Sequence, residues 1–197
     1  MPRPRGRPIA TRGVYPLEDA GLLLPTLLGL DTSFVVEALI ETQPLHEACA
    51  AFFERLVEGG ATVVTSELLE VELAEAAFAI ALKQRWGRQW RTHRTDGRAR
   101  RPARQLLGEV AARSELLLSS LDRVSIPLGR VGPAAAAFMT DYGLASYDAV
   151  HAATAVAAGA ETIVTLDTGF ALLPPRLLAI YTDRSRLASC RTKRPRR

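Results

Sequence analysis

Hydrophobic and polar residues follow two alternating patterns along the chain. Short apolar runs, typical of strands buried on both faces, are separated by longer stretches in which apolar residues recur at helical spacing. The runs that predict strands are LLGL (27–30), ATVVTS (61–66), VSIPL (124–128), ETIVTL (161–166) and LAIYT (178–182). Since strands alternate with helices, we expect an α/β fold with a central, mainly parallel sheet between two layers of helices, an α/β/α sandwich.

The helical stretches are predicted at 32–41, 45–58, 67–83, 103–121, 132–143 and 147–159. Residues with strong end preferences support two of these helices. Pro133 fits the first turn of its helix, and Gly143 fits the position just past its end. Ser146 fits the N-cap of the last helix, and Gly159 fits the left-handed position that follows it.

Length and composition predict one domain with two basic extensions. The 197 residues are 48% hydrophobic, which is enough to bury a sizeable core. We assign residues 1–27 to a basic, partly disordered N-terminal extension and residues 184–197 to a basic C-terminal tail. The folded domain is expected at 28–183, with a helical insert rich in arginine and tryptophan near 84–104.

No membrane-spanning segment is expected. The best apolar run, at 20–30, is too short to cross a bilayer and is interrupted by a proline. It follows Glu18 and Asp19 and lacks a small-residue cleavage site, so it predicts the approach to a strand rather than a signal peptide. Cys49 and Cys190 form neither a metal-ligand spacing nor a disulfide framework. These features fit a cytoplasmic protein.

Three aspartates occupy positions that packing does not explain. Asp31 and Asp167 directly follow the predicted strands LLGL and ETIVTL, and Asp148 lies in the first turn of an alanine-rich helix. A buried carboxylate is disfavoured unless it has a cation, hydrogen bonds or exposure at the end of an element. In open α/β sheets, ligands bind beyond the carboxyl ends of the strands. These positions therefore indicate a functional site, and clustered acids favour a hard divalent cation that relieves their repulsion.

A fourth acid is expected from the segment SELLEVELAE (66–75). On a helix, Glu72 falls inside the arc of apolar side chains, whereas Glu67 and Glu70 point away from it. Glu75 lies at the edge of that arc and is the second choice. The pattern alone leaves two interpretations of Glu72, a catalytic acid or a partly exposed acid in a structural ion pair.

Arginines are concentrated in three places, although the net charge is only +4. The clusters at 1–13 and 191–197 are suited to binding a polyanion, but they are equally well explained as solvated tails. The central cluster, at 83–104, interleaves arginines with Trp86 and Trp90, which suits single-stranded RNA. The two tryptophans, one helical turn apart, fit packing or a protein interface better than base stacking. The candidate RNA-binding residues are Arg85, Arg88, Arg91, Arg94 and Arg98.

Four segments, taken in order, resemble a known family. LDTSF, TSELLEVELAE, SYDAVHAATAVAAGA and TLDTGF are similar to the motifs of the PIN domain, and most similar to those of the VapC toxins of bacterial toxin–antitoxin pairs. Each motif is weak alone, but four in order with matching strand and helix contexts are fairly specific. The resemblance covers residues 28–182 and implies a PIN-like α/β/α sandwich.

The resemblance also implies a chemistry. It predicts an endoribonuclease that depends on Mg²⁺ or Mn²⁺ and whose acids lie at the carboxyl ends of a parallel sheet. Carried over to this chain, the catalytic acids are Asp31, Glu72, Asp148 and Asp167. The three aspartates among them are the expected metal ligands, directly or through water.

Other residues near these acids receive lesser roles. Ser33 and Thr165 are candidates to orient a ligand or a water. His151, one helical turn from Asp148, is expected to pack or to form hydrogen bonds rather than to act as a general base, because metal-assisted hydrolysis needs no histidine. Members of the family often have a further acid where this chain has Gly169.

The favoured function is a metal-dependent endoribonuclease that acts as the toxin of a toxin–antitoxin pair. The expected partners are an RNA substrate, a cognate antitoxin that covers the acidic cleft and a second copy of the chain in a homodimer. Two alternatives stay open. One is a PIN-like RNA-binding or regulatory module that has lost cleavage, which Gly169 and the insert favour and the four acids oppose. The other is a housekeeping RNA-processing nuclease, which an adjacent antitoxin reading frame would argue against.

Overall fold

The computed structural model describes residues 13–22 and 24–195, which form one six-stranded sheet and seven α-helices. The strands are β1 (Val14–Pro16), β2 (Leu27–Leu30), β3 (Thr62–Ser66), β4 (Asp122–Ile126), β5 (Thr162–Val164) and β6 (Ala179–Thr182). The helices are α1 (Thr32–Leu39), α2 (His46–Glu58), α3 (Leu69–Trp86), α4 (Arg100–Leu118), α5 (Leu128–Tyr142), α6 (Ser146–Ala157) and α7 (Leu187–Lys193). All neighbouring strands are parallel, in the order β1-β6-β5-β2-β3-β4.

The predicted parallel sheet between two layers of helices is confirmed. Neighbouring residues of the central strands point to opposite faces of the sheet and pack in different hydrophobic clusters. Val63 and Val64 in β3, and likewise Ile163 and Val164 in β5, lie in two separate clusters of buried side chains. One cluster joins the sheet to α1–α4, and the other joins it to α5–α7. Both faces of the central strands are therefore covered, as their continuous apolar runs require.

The five strands and six helices predicted from the sequence are all present, but several predicted helix starts are wrong: α3 begins two residues later, α4 three residues earlier and α5 four residues earlier than predicted. Helix α5 begins at Leu128, so Pro133 lies in its second turn rather than its first. A residue distant in sequence explains the early start, since the Leu128 N–H donates to the Glu67 carboxylate at 2.8 Å. Ser146 is the first residue of α6 and not its cap; Ala145 holds the N-cap position without a side-chain hydrogen bond.

The segments assigned to the two extensions contribute to the fold where they are described. Strand β1 pairs in parallel with β6, and α7 buries Cys190 against the second core cluster. Residues 1–12 and 196–197 of the predicted extensions lie outside the described residues. None of the helices in the described part of the chain combines the length and apolar character needed to cross a membrane.

The parallel arrangement places the carboxyl ends of all six strands at one edge of the sheet. Asp31 follows β2, Ser66 ends β3, and Asp167 follows β5 by a few residues. Helix α6, which carries Asp148, packs closely on β2 because Gly29 has no side chain. A Cβ at Gly29 would lie only 2.8 Å from the Cβ of Ala155 in α6. The sheet edge and the start of α6 thus form one region.

Candidate active site

Asp31 is the most enclosed carboxylate at the sheet edge, with 4% of the residue exposed. It caps α1, where its Oδ2 accepts from the Ser33 N–H at 3.3 Å. The hydroxyls of Ser33 and Thr165 donate to the same oxygen, the second at 2.8 Å. Burial raises the pKa of Asp31 above its ordinary value, against the opposing effect of nearby His151 and the two hydroxyls. The carboxylate is therefore fixed in orientation but lies where its negative charge is disfavoured without a cation.

Glu72 extends from the first turn of α3 into the same region. Its Oε2 accepts from the Thr32 hydroxyl at 2.5 Å and forms a short hydrogen bond with Nε2 of His151. The other ring nitrogen of His151, Nδ1, lies 3.1 Å from the hydroxyl oxygen of Ser66. Nε2 is also 4.0 Å from the Asp31 carboxylate. A single imidazole thus links residues from the ends of β2 and β3 and from helices α3 and α6.

The His151 imidazole carries positive charge more readily than an ordinary histidine. Its burial would lower the pKa of His151, but the hydrogen bond with Glu72 and the charges of Asp31 and Asp148 raise that pKa overall. The side chain is 1% exposed. A protonated imidazole donates from both nitrogens, which suits the acceptors Glu72 and Ser66. The predicted hydrogen-bonding role of His151 is confirmed by these contacts.

We expect the His151→Leu substitution to destabilise the protein. Leucine fills similar space but leaves the carboxylate of Glu72 and the hydroxyl of Ser66 without their shared partner, which should lower the free energy of unfolding by about 2 to 4 kcal/mol. The matched control is His46→Leu, since His46 is only half-buried and bonds a backbone carbonyl. It should change stability by less than about 1 kcal/mol. Urea unfolding curves measure both, and equal midpoints for the two variants would contradict the structural importance of the network.

Asp148 and Asp167 lie beside Asp31 and Glu72. Burial first, and then the charges of Asp167 and Asp31, raise the pKa of Asp148 from 3.8 to about 7. The Asp167 carboxylate caps a short 3₁₀ helix and accepts from the Gly169 N–H at 2.6 Å. The negative charge of Asp148 is therefore disfavoured, mainly by burial and further by the neighbouring acids.

Gly169 has a steric role between these two carboxylates. A Cβ at this position would lie 3.1 Å from Asp167 Oδ1 and 3.2 Å from Asp148 Oδ2. Both carboxylates therefore face the same point of the backbone. A side chain at position 169, such as the further acid common in the resembled family, would crowd both carboxylates in this arrangement.

The acid cluster fits a divalent cation by its donor chemistry. Carboxylate oxygens are the ligands that Mg²⁺ and Mn²⁺ prefer, and a cation would relieve the repulsion that raises the pKa of Asp148. Across residues 13–22 and 24–195, however, no three His, Cys, Asp or Glu side chains are grouped so that they could hold a metal ion between them. Mg²⁺ usually keeps several waters and binds one or two carboxylates, so its binding does not require such a group.

The structure gathers the predicted acids in one region and adds residues that the sequence did not indicate. Thr32 and Ser66 belong to the His151 network; both lie within the motifs LDTSF and TSELLEVELAE, but the sequence does not predict their contacts because the partners are distant. Arg186 borders a cleft of about 260 Å³ that Ser33 and Asp167 also line. The basic composition of the C-terminal segment is the only signal that could have pointed to Arg186. Glu75, the second choice for the fourth acid, is half-exposed and paired with Arg94 instead.

Within the described part of the chain, none of the predicted RNA-binding arginines forms an ion pair with the four acids. All five occupy the exposed end of α3 and the turns that lead to α4. Arg94 forms two hydrogen bonds of 2.6 Å with the Glu75 carboxylate, and Arg98 is paired with Asp96 at 2.7 Å. These two arginines therefore have carboxylate partners that compete with a phosphate.

The fold and the site define a class of protein, a parallel α/β domain with carboxylates clustered at the carboxyl edge of its sheet. The sequence model of the PIN domain matches residues 29–174, and the chain belongs to the PIN domain family. This is generally a nuclease fold, whose members act on RNA or other nucleic acid and generally use divalent metal ions. No curated protein matches the chain.

Proposed function

We propose that the chain is a metal-dependent endoribonuclease that hydrolyses RNA phosphodiester bonds and acts as the toxin of a toxin–antitoxin pair. The observation that carries the nuclease proposal is the meeting of Asp31, Asp148 and Asp167, which come from three separate segments. Burial first, and then the charges of Asp167 and Asp31, raise the pKa of Asp148, so its negative charge is disfavoured in the fold. Clustered acids that weaken the fold are expected where a cation and a phosphate bind.

The three aspartates are the residues that would bind Mg²⁺ or Mn²⁺, some of them directly and others through water. Such an ion, when bound, supplies Lewis-acid stabilisation of the charge that develops on the scissile phosphate. Ser33 and Thr165 keep the Asp31 carboxylate in one orientation through their hydroxyls. A fixed ligand reduces the reorganisation needed when the substrate arrives.

Glu72 is the residue that we assign to orienting the attacking water. Both hydrogen bonds that the described residues make to its carboxylate use Oε2, which leaves Oε1 to accept from a water. His151 and Thr32 hold the carboxylate towards the aspartates. Glu72 is thus positioned by residues that need not touch the RNA.

Cleavage assays test the nuclease proposal directly. The purified protein, incubated with a structured RNA pool, should cut RNA with Mg²⁺ or Mn²⁺ and should not cut when a chelator is added. Asp31→Asn serves as the inactive control, and mapping of the new RNA ends identifies the cleavage sites. Cleavage that persists in chelator, or in the Asp31→Asn protein, would remove the metal-dependent mechanism. RNA binding without any cleavage would favour the non-catalytic module instead.

A second experiment tests the toxin assignment. The similarity of the four motifs to VapC toxins supports it, and with it an antitoxin partner, a homodimer and a cytoplasmic location. Expression of the wild-type chain should arrest bacterial growth, expression of the Asp31→Asn protein should not, and the product of an adjacent reading frame should restore growth. An active nuclease that leaves growth unchanged would point to a housekeeping RNA-processing enzyme.

A further inference from the structure

Four cations are exposed together where α3 ends. Helix α3 continues to Trp86 and is followed by a 3₁₀ helix over Gly87–His93. The exposed basic residues of this corner, called the insert cluster below, are Lys83, Arg85, Arg88 and Arg91. No carboxylate in the described part of the chain forms an ion pair with any of them. Their charges are therefore uncompensated, in contrast to those of Arg94 and Arg98.

The two tryptophans of the insert contact three of the four cations. Lys83 and Arg91 both lie against the ring of Trp90, at 5.5 and 5.1 Å from its centroid. Arg85 lies 5.2 Å from the centroid of Trp86. Contacts of this kind restrict the long basic side chains before any ligand binds. The cations are thus partly pre-organised on the surface.

The same contacts leave little aromatic surface for nucleic-acid bases. Trp86 is stacked on His93, with ring centroids 4.9 Å apart and planes 10° apart, while Arg85 also packs against it. Trp90 is engaged by two cations. Base stacking requires an open ring face, so the indoles are better suited to positioning cations than to binding bases.

A stabilising effect on the neighbouring helices explains only some of the basic residues on this surface. Basic residues in the last turn of α3 interact favourably with the negative end of the helix dipole. The first turns of α4, however, carry Arg100, Arg101 and Arg104 and no acidic residue in the opening turn, where positive charge is disfavoured. These arginines extend the positive surface at a position that weakens the helix. A polyanionic ligand would offset that repulsion.

We propose that the insert cluster binds the phosphate backbone of the RNA strand outside the cleavage site. This inference rests on the proposed ribonuclease function. Arg85 lies roughly 20 Å from Glu72 along the axis of α3, so one strand that spans both must be several nucleotides long. Because the indole faces are engaged, the contacts are with phosphates and carry little sequence preference. Long RNA therefore gains affinity from this surface, whereas a short oligonucleotide in the acidic cleft does not.

The test uses the triple variant Arg85→Gln, Arg88→Gln and Arg91→Gln of the full chain, with RNA affinity measured in chelator so that no cleavage is needed. We expect affinity for a long single-stranded RNA to fall about tenfold to a hundredfold near 0.1 M salt, and the slope of log affinity against log salt to decrease by about 0.7 for each lost contact. A short oligonucleotide, assayed by cleavage with Mg²⁺, should keep its kcat and KM.

Two further variants control for folding and for overall charge. The equivalent lysine triple at Arg85, Arg88 and Arg91 keeps the charge and should keep the salt slope. Arg113→Gln, Arg123→Gln and Arg130→Gln remove as much charge from exposed positions on α4, β4 and α5, and should leave affinity within about threefold. Within the insert, Arg91→Gln should weaken binding more than Arg94→Gln, because Arg94 is held by Glu75.

Several results would overturn the inference. Equal losses in the two glutamine triples would show a general charge effect rather than a binding surface. Unchanged RNA affinity with an altered molar mass in solution would assign the insert cluster to a protein interface. The inference would also be wrong if the wild-type chain did not bind long RNA in chelator. The short-oligonucleotide assay separates these outcomes from the ribonuclease proposal, because loss of that cleavage would count against the ribonuclease proposal and not against the insert cluster alone.

Discussion

The Asp148→Asn protein is expected to lose RNA cleavage and to be more stable than the wild type in chelator. Cleavage should fall on the order of a hundredfold or more, because a proposed ligand for the catalytic cation is neutralised. Stability should rise because asparagine removes a negative charge that burial, Asp167 and Asp31 oppose. At pH 8 the expected gain is about 1 to 3 kcal/mol, less than the full pKa shift implies since the side chain is partly solvated.

The stability gain of Asp148→Asn should depend on pH with a definite sign. The pKa of Asp148 is about 7 in the folded chain, against an ordinary value of 3.8. The folded state therefore binds the proton more tightly than the unfolded state, and ionisation of Asp148 destabilises the wild type progressively as pH rises from about 4 to about 7. The variant should be nearly equal to the wild type at pH 4 and most different above pH 7.

Urea unfolding in chelator, at pH 4, 6 and 8, measures this dependence. Asp141→Asn is the matched control, since Asp141 is an exposed acid at the end of α5. Its stability and its cleavage rate should both remain close to those of the wild type. Wild-type cleavage by the Asp148→Asn protein would show that the site is wrongly assigned. If the stability gain of the Asp148→Asn protein did not increase with pH, the proposed cost of ionising Asp148 in the folded chain would be contradicted.

Glu72→Gln is expected to reduce cleavage on the order of a hundredfold, whereas Glu70→Gln should reduce it less than about threefold. Both acids lie in the first turn of α3, but Glu72 accepts from Thr32 and His151, and Glu70 is exposed. Glutamine keeps the size of the side chain but presents an amide that cannot accept from both donors and a water. The amide oxygen would stay with the donors Thr32 and His151, so the NH2 group would take the place of the oxygen that accepts from the water.

Single-turnover cleavage at saturating RNA compares the two glutamine variants without interference from product release. Similar losses for Glu70→Gln and Glu72→Gln would contradict the assignment of the inward face of α3. Glu75→Gln gives a further comparison, because that carboxylate is engaged by Arg94 at the surface. We expect it to have little effect on the chemical step.

Local patterns were sufficient for most of the elements and failed where distant contacts set the boundary. The strand at 161–166 and the helix before it, at 147–159, were predictable from β-branched runs and helical spacing. Strand β1 has only three residues and forms because β6 offers its edge, a contact across more than 160 residues. Likewise, α5 starts at Leu128 because Glu67 accepts from its N–H. No window of local sequence contains either pair of partners.

The sequence by itself determined the α/β alternation and the place of Asp31 and Asp167 near the carboxyl ends of strands, because both follow from spacing along the chain; in the structure β5 ends at Val164, three residues before Asp167. Only the tertiary structure decided that His151 holds Glu72 and that Arg94 is paired with Glu75. Hydrogen bonds and ion pairs act over a few ångströms, and their partners here are 79 and 19 residues apart in sequence. Folding brings them together, so which charges are compensated can be read only from the folded chain.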